Sequence, residues 1–354
     1  MDTTMHLELI QNFEALDSQA NEWNDLLACC SASHVPFLRY EYLSTWWKTL
    51  GGGEWNEASL YIYLARRQDG GLLGIAPLFY AKNRQGVPSM LLVGSIEISD
   101  YLDVICPTPD LPAFMEGLFE ALTSDQAPPW KALDFYNINE NSPTLPALEA
   151  AAQRRGWSFS QQQLQPCPYI PLPGDWEQYL ASIDKKQRHE IRRKMRRAEE
   201  SATPVRWYIV GGENYGNQTV TEAVLDAEIE EFMALMAMDP DKDRFLTQVM
   251  RTQMRSAVHA AYRAGWLQLA FLEVDGKKAA GYLNFDFANH IWVYNSGINF
   301  DYRELSPGWV LLGYLLKWAN ENRREAFDFM RGDEDYKYRF GGINRYVVRA
   351  LICR

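Results

Sequence analysis

The sequence predicts an α+β protein in which one mixed-sheet fold occurs twice in tandem. Three observations lead there. The chain has 354 residues, more than the ~250–300 at which a single core stops growing. Its composition, 47% hydrophobic with 12 Trp and 19 Tyr, is enough to fill two cores and excludes a disordered or low-complexity chain. The order of strand-like and helix-like segments in the first half also recurs in the second.

The elements follow in chain order. Residues 6–11 read as a strand, and residues 21–30 and 40–50 as helices. Residues 60–82 set two aliphatic and aromatic runs about an Asp-Gly turn, the pattern of a β-hairpin. A further strand follows at 90–96, then a helix from Leu111 with apolar residues three and four apart. The strand Ala132-Leu133-Asp134-Phe135 comes next, and a helix and closing strand end the half. The second half repeats this order. It has a strand at 205–210, helices at 221–237 and 241–264, a hairpin at 266–287 with Asp-Gly at its turn, and a strand at 291–298. A helix from Gly308 leads to Ala326-Phe327-Asp328-Phe329. Between the halves lies Cys167-Pro168-Tyr169-Ile170-Pro171-Leu172-Pro173, whose prolines restrict it to an edge strand running into a linker. The expected domains are therefore 1–165 and 166–354, the second opening with a basic helix over 175–200 capped by Asp175.

Charge and motif content narrow the function. A net charge of −11 excludes a protein that is basic all over. No stretch approaches the ~20 apolar residues of a membrane-spanning helix. The opening residues MDTTMHLELIQ carry no basic or apolar leader. Five cysteines form no C-x-x-C pair, which fits a reduced, cytoplasmic setting. The five histidines show no metal-ligand spacing, so no metal is expected, and neither a G-x-S-x-G elbow nor a Walker loop occurs. One segment runs against the overall charge: residues 185–197 hold eight Lys/Arg, Arg188 and Arg192 among them, against one Glu. Cations spread that widely suit a phosphate group, a phospholipid or lipid-linked sugar, or a tRNA backbone. A charged surface helix paired with acidic residues such as Glu228, Glu230 and Glu231 is the plainer reading.

Arg303-Glu304-Leu305-Ser306-Pro307-Gly308 stands between a strand and a helix. Together with the element order it resembles the GNAT acyltransferase fold, whose members carry R/Q-x-x-G-x-G/A at this place. In that loop, backbone N–H groups at the helix N-terminus face a pyrophosphate; here Ser306 replaces the first glycine. A helix N-terminus needing no ligand is the alternative. More narrowly, the chain resembles the GNAT-like family found with bacterial cellulose and exopolysaccharide synthesis genes (CelD/BcsL-like). Several segments carry this: Ser99-Asp100-Tyr101-Leu102-Asp103, the proline-rich linker, the basic helix, Tyr294-Asn295-Ser296-Gly297, and Phe327-Asp328-Phe329-Met330-Arg331-Gly332-Asp333-Glu334 leading to Tyr336-Lys337. The tandem arrangement is also similar to the Fem-type aminoacyl-tRNA-dependent transferases.

The resemblance implies transfer of an acyl group from acetyl-CoA or another acyl-CoA to an amine, an amino sugar or small amine handled by polysaccharide-synthesis machinery. Asn295, Ser296 and Gly297 would border the pantetheine arm, with Gly297 marking either a close backbone approach or a bulge. Arg303, Ser306 and Gly308 would hold the phosphates. Tyr336, with Tyr338 as second choice, would protonate the leaving thiolate, and Glu334 or Asp328 would be the base. Asp328 has a counterpart, Asp134, in the half without the loop, which speaks for a structural role. Arg331 and Lys337 would hold an anionic substrate or donor phosphate, or only neutralise Asp333 and Glu334. Tyr101 and Asp100 would bind the acceptor, or only shape a turn. The first half has no glycine pair before its helix, so only the second half is expected to bind a donor. Two other classes stay open: Fem-like aminoacyl transfer from tRNA, and a non-catalytic accessory protein of polysaccharide synthesis.

Overall fold

The structure, a computed structural model, describes residues 5–30 and 34–354; the first four residues of the leader reading lie outside them. The chain divides into two units, Met1–Gln165 with Tyr346–Arg354, and Pro166–Arg345. The second domain expected over 166–354 thus ends at Arg345.

The first unit runs β1 (His6–Ile10), α1 (Ala20–Cys29), α2 (Tyr40–Gly53), β2 (Ser59–Arg66), β3 (Leu72–Lys82), β4 (Pro88–Leu92), α3 (Leu111–Ala121), β5 (Ala132–Asn139), α4 (Thr144–Arg154) and β6 (Ser158–Pro166). The second follows with β7 (Tyr169–Pro171), α5 (Trp176–Ser182), α6 (Lys185–Glu199), β8 (Val205–Ile209), α7 (Glu222–Met236), α8 (Pro240–Phe245), α9 (Gln248–Arg263), β9 (Leu267–Val274), β10 (Lys277–Phe287), β11 (His290–Ile298), α10 (Pro307–Glu321), β12 (Ala326–Asp328) and α11 (Asp335–Arg339). The last strand, β13 (Tyr346–Cys353), returns to the first sheet, whose order is β1-β2-β3-β4-β5-β13-β6. It enters antiparallel to β5, from Val347 opposite Asn139 to Cys353 opposite Ala132. The second sheet runs β7-β12-β11-β10-β9-β8. Its closing strand is β7, on the edge where the prolines require it to be.

Two helices expected as single pieces are broken, in each case by an N-cap inside the run. The helix over 175–200 divides because Asp184 accepts from the N–H groups of Lys186 (2.9 Å) and Gln187 (3.3 Å), starting α6 afresh after α5. The helix over 241–264 divides because Thr247 leaves helical geometry and accepts from Met250 N–H (3.2 Å). Asp175 caps α5 through Gln178 N–H (2.8 Å).

Strand alternation sorts the second unit into two layers on its sheet. Ala270 and Leu272 of β9 face a core shared with Leu180, Ile191, Met195, Leu311 and Leu315 of α5, α6 and α10. Leu269 and Phe271 face the opposite core, with Ile229, Phe232 and Met254 of α7 and α9. Gly313 on α10 admits Met195, since a Cβ there would lie 2.9 Å from its sulfur. The basic helix is thereby held against α10 by the thin apolar stripe of Ile191, Met195 and Ala198.

In the first unit, β4 pairs with β5 only at Ser89 and Met90. Beyond that point the chain fills the gap itself. Ile105 exchanges backbone bonds with Ile75 of β3 (2.8 and 2.9 Å), Leu102 N–H donates to Asn137 (3.0 Å), and the Asn137 amide donates to Ile96 and Ser99 carbonyls (2.7 and 2.8 Å). Asp103, 2% exposed, accepts from Ser142 Oγ (2.5 Å) and Val104 N–H (2.8 Å). Burial pushes its carboxyl up to about 6, although bonds from Ser142, Thr144 and Val104 oppose the rise. A carboxyl raised in the folded state contributes stability that is full below the unfolded value near ~3.9 and is lost as pH rises through about 6. Between pH 4 and 6.5 the wild type is therefore expected to lose about 2 kcal/mol more than an Asp103→Asn variant. Urea denaturation midpoints across that range measure the difference, and parallel pH profiles would refute it.

Candidate functional site

The second unit leaves the corresponding gap open. β12 pairs with β11 in parallel only at His290, Ile291 and Trp292. From Val293 to Ile298, β11 keeps β10 on one side and, among the described residues, has no strand on the other. The register against β10 slips between Leu283 and Asn284, which places the bulge of β11 at Tyr294. Gly297 is therefore not the bulge. A Cβ there would lie 2.6 Å from Met236 N and 2.7 Å from the Leu235 carbonyl carbon. The close approach it permits is that of the α7 backbone.

At the end of β11, a turn of 3-10 helix (Phe300–Leu305) brings the chain to Ser306. Ser306 has φ 51° and ψ 54° and makes no side-chain cap. This is the left-handed conformation that glycine ordinarily supplies, so the loop keeps the glycine shape although the residue is serine. Pro307 takes the first helical position, and Gly308 lets α10 sit close on β11, since a Cβ would meet Ile298 Cδ1 at 2.5 Å. The N-terminus of α10 consequently opens beside the unpaired stretch of β11. Arg303 is exposed beside it, and among the described residues it makes no ion pair. The geometry suits an anionic group with an extended amide-bearing arm.

The basic helix borders the same loop. Lys194 lies over the Trp309 ring (4.1 Å) and pairs with Glu190 (3.5 Å), and Arg197 reaches Glu304 (3.8 Å). An open concavity of about 710 Å³ is lined by His189, Arg192, Arg193, Arg196 and Arg197 of α6 and by Leu305. Not all of these cations are available. Arg192 pairs with Glu177 and Arg193 with Glu190, while Arg188 donates to the Leu180 and Ala181 carbonyls (3.3 and 3.4 Å) at the end of α5. Arg188 thus caps a helix, the position where a cation opposes the dipole.

The polar cluster after β12 separates into buried, paired members and members that stay exposed or half-buried. Asp328 is fully buried, pairs with Arg345, and accepts from Met330 N–H (2.8 Å). Its counterpart Asp134 takes Arg349 Nε and Nη2 at 2.6 and 2.8 Å. Full burial and the pair with Arg345 speak for the structural role of Asp328 rather than for a base. Lys337 is also spoken for. Its ammonium, 2% exposed, donates to Arg331 O (2.9 Å) and to Met330 and Gly332 O (both 3.3 Å), and pairs with Glu334 (2.9 Å). It staples the turn rather than holding a substrate. Gly332 (φ 129°) makes room for that pair, because a Cβ would fall 2.3 Å from Glu334 Oε2. Arg331 is half-buried and contributes its carbonyl to the same staple. Glu334 itself stays exposed at the start of α11. Tyr336 is half-buried with its ring edge-on to Phe329 (5.8 Å), and burial, then Glu334, raise its phenol above the ordinary range. Tyr338 donates to Asp333 (2.6 Å).

Tyr101 and Asp100 lie in the first unit. They belong to the first-unit segment that fills the gap beyond β4, and both are buried, 3% and 7% exposed. Two residues the motifs did not single out do matter. Lys242 of α8 donates to Ser296 O (2.5 Å), and burial lowers its ammonium while Asp239 and Glu334 oppose that shift. Tyr282 of β10 is buried, and burial raises its phenol, with Tyr336 and Glu334 adding to the rise. Among the described residues, no group of His, Cys, Asp and Glu is arranged to hold a metal ion, and no helix is long and apolar enough to cross a membrane.

Residues 185–338 match the model of the Acetyltransferase (GNAT) domain family. The whole chain superposes on FemX at TM-score 0.64, with 12% identity over 98% of this chain and 96% of that one. A conserved protein of unknown function from Bacteroides thetaiotaomicron gives 0.58 with 12% identity, over 99% and 100%. L-PGS from Bacillus licheniformis gives 0.54 with 12% identity, over 94% and 91%. At such identities the likeness is one of fold: two GNAT-like copies in tandem. No match was found among curated protein sequences.

Proposed function

We propose that the second unit is an N-acyltransferase taking its acyl group from acetyl-CoA or a similar acyl-CoA. The observation that carries this reading is the open edge of β11 ending at a loop whose serine keeps the left-handed glycine conformation at the N-terminus of α10. The pantetheine arm lies along the edge and the pyrophosphate at Ser306, Gly308 and Arg303; Arg196 and Arg197 line the concavity open to the remaining phosphate. The amine nitrogen attacks the thioester carbonyl, the C–N bond forms and the C–S bond breaks. Glu334, directly or through water, takes the ammonium proton, and Tyr336, held protonated by burial, returns one to the thiolate. The first unit contributes no donor site, because its own residues occupy the matching gap.

The acceptor is an amino sugar or small amine on the way to an envelope polysaccharide, a reading that rests on the resemblance of the sequence to the CelD/BcsL-like family. Five free cysteines support a cytoplasmic setting. Calorimetric titration with acetyl-CoA is expected to give saturable heat, followed by thiol release with an amine from a panel of amino sugars. Absence of heat overturns the reading. The second reading, aminoacyl transfer from tRNA, is favoured by the cations of α6 that have no acidic partner among the described residues, Lys185, Lys186, Arg188 and Arg196. Salt-dependent tRNA binding without acetyl-CoA binding would establish it.

A further inference from the structure

The open edge of β11 is not bare. Asn299 N–H donates to Ala279 O (2.9 Å), so the pairs two residues along, Gly297 with Gly281 and Asn295 with Leu283, are those that exchange backbone bonds with β10. Ser296, opposite Tyr282, therefore directs its N–H and C=O away from β10, toward the side β12 has left. Both groups are already satisfied by side chains. Asn295 Oδ1 accepts from Ser296 N–H (2.8 Å), and Lys242 Nζ donates to Ser296 O (2.5 Å). Together they take the bonds an incoming strand-like chain would make.

We propose that Lys242 and Asn295 form a latch on the donor edge, which an extended amide-bearing donor must displace to pair with Ser296. The inference rests on the acyl-donor reading of this edge and adds the residues that oppose entry. Lys242 suits the part. It comes from α8, outside the sheet, its stem is half-buried, and its charge meets Ser296 O in a charge-assisted bond that costs more to break than a neutral one. Asn295 swings on its own strand and returns when the donor leaves.

Two measurements on the full chain test this. In titrations with acetyl-CoA, Lys242→Met is expected to bind roughly five- to tenfold tighter than wild type, and Lys242→Gln, which keeps a neutral donor, in between. Unchanged affinity at an unchanged melting temperature would overturn the latch, as would weaker binding, which would make Lys242 a donor ligand instead. Without any donor, Asn295→Ala is expected to speed amide hydrogen exchange in the peptide spanning Ser296 by about tenfold. If wild type fails to bind acetyl-CoA while this acceleration is seen, the donor reading fails and the capped edge stands. If exchange is unaltered, the latch fails whatever binds.

Discussion

Replacing Asp328 with alanine is expected to cost the protein about 3 kcal/mol of stability, whatever it does to activity. The carboxylate has no exposed surface and joins Arg345 to the end of β12 while accepting from Met330 N–H. Removing it leaves a guanidinium whose side chain is only 22% exposed, stacked on the Tyr169 ring at 4.4 Å, without its counter-ion. Loss of one partner of a buried pair is costly because the other charge stays desolvated. Asp328→Asn, which can still accept from Met330 N–H, should cost less. Denaturant midpoints of the two variants against wild type give the comparison. A fully stable Asp328→Ala protein that has lost only turnover would restore Asp328 as the catalytic base and overturn its structural assignment.

Ser306→Asp is expected to weaken acetyl-CoA binding by roughly 30-fold or more without lowering the melting temperature. Aspartate is among the few residues besides glycine that tolerate the left-handed conformation, and it is a good N-cap. The fold therefore accepts it. The added carboxylate would occupy the positive end of α10, the place the pyrophosphate needs. Ser306→Gly completes the test, since glycine relieves the positive φ and removes the hydroxyl. Binding retained by the glycine variant would mean that the loop works through its backbone; binding lost would mean that the hydroxyl donates. If the aspartate variant binds as tightly as wild type, the phosphates do not sit at this helix.

Much of the fold was legible because it is written twice. Ala132-Leu133-Asp134-Phe135 and Ala326-Phe327-Asp328-Phe329 share a place in each copy, and the hairpins carry turn residues that periodicity cannot imitate. What periodicity hid were caps within runs, at Asp184 and Thr247, where one hydrogen-bonding side chain outweighs a continuous helical pattern. The loop Arg303–Gly308 was legible as a motif, but the left-handed serine was not, because backbone conformation at a non-glycine residue leaves no mark in composition. Arg345 and Arg349 could have been anticipated. Two apolar strands that each bury an aspartate demand two cations, and an arginine pair four residues apart stands downstream. Lys242 could not. It sits in Asp239-Pro240-Asp241-Lys242-Asp243-Arg244, where a lysine among aspartates reads as a solvated turn.

The return of β13 to the first sheet has a consequence for synthesis. The strand is translated only after every residue of the second unit, so that unit, continuous from Pro166 to Arg345, can reach its native state while the first is still incomplete. Until then β5 and β6 lack the strand between them, and Asp134 waits inside an apolar sheet for Arg349. The copy that lacks the R-x-x-S-x-G loop is accordingly made first and finished last.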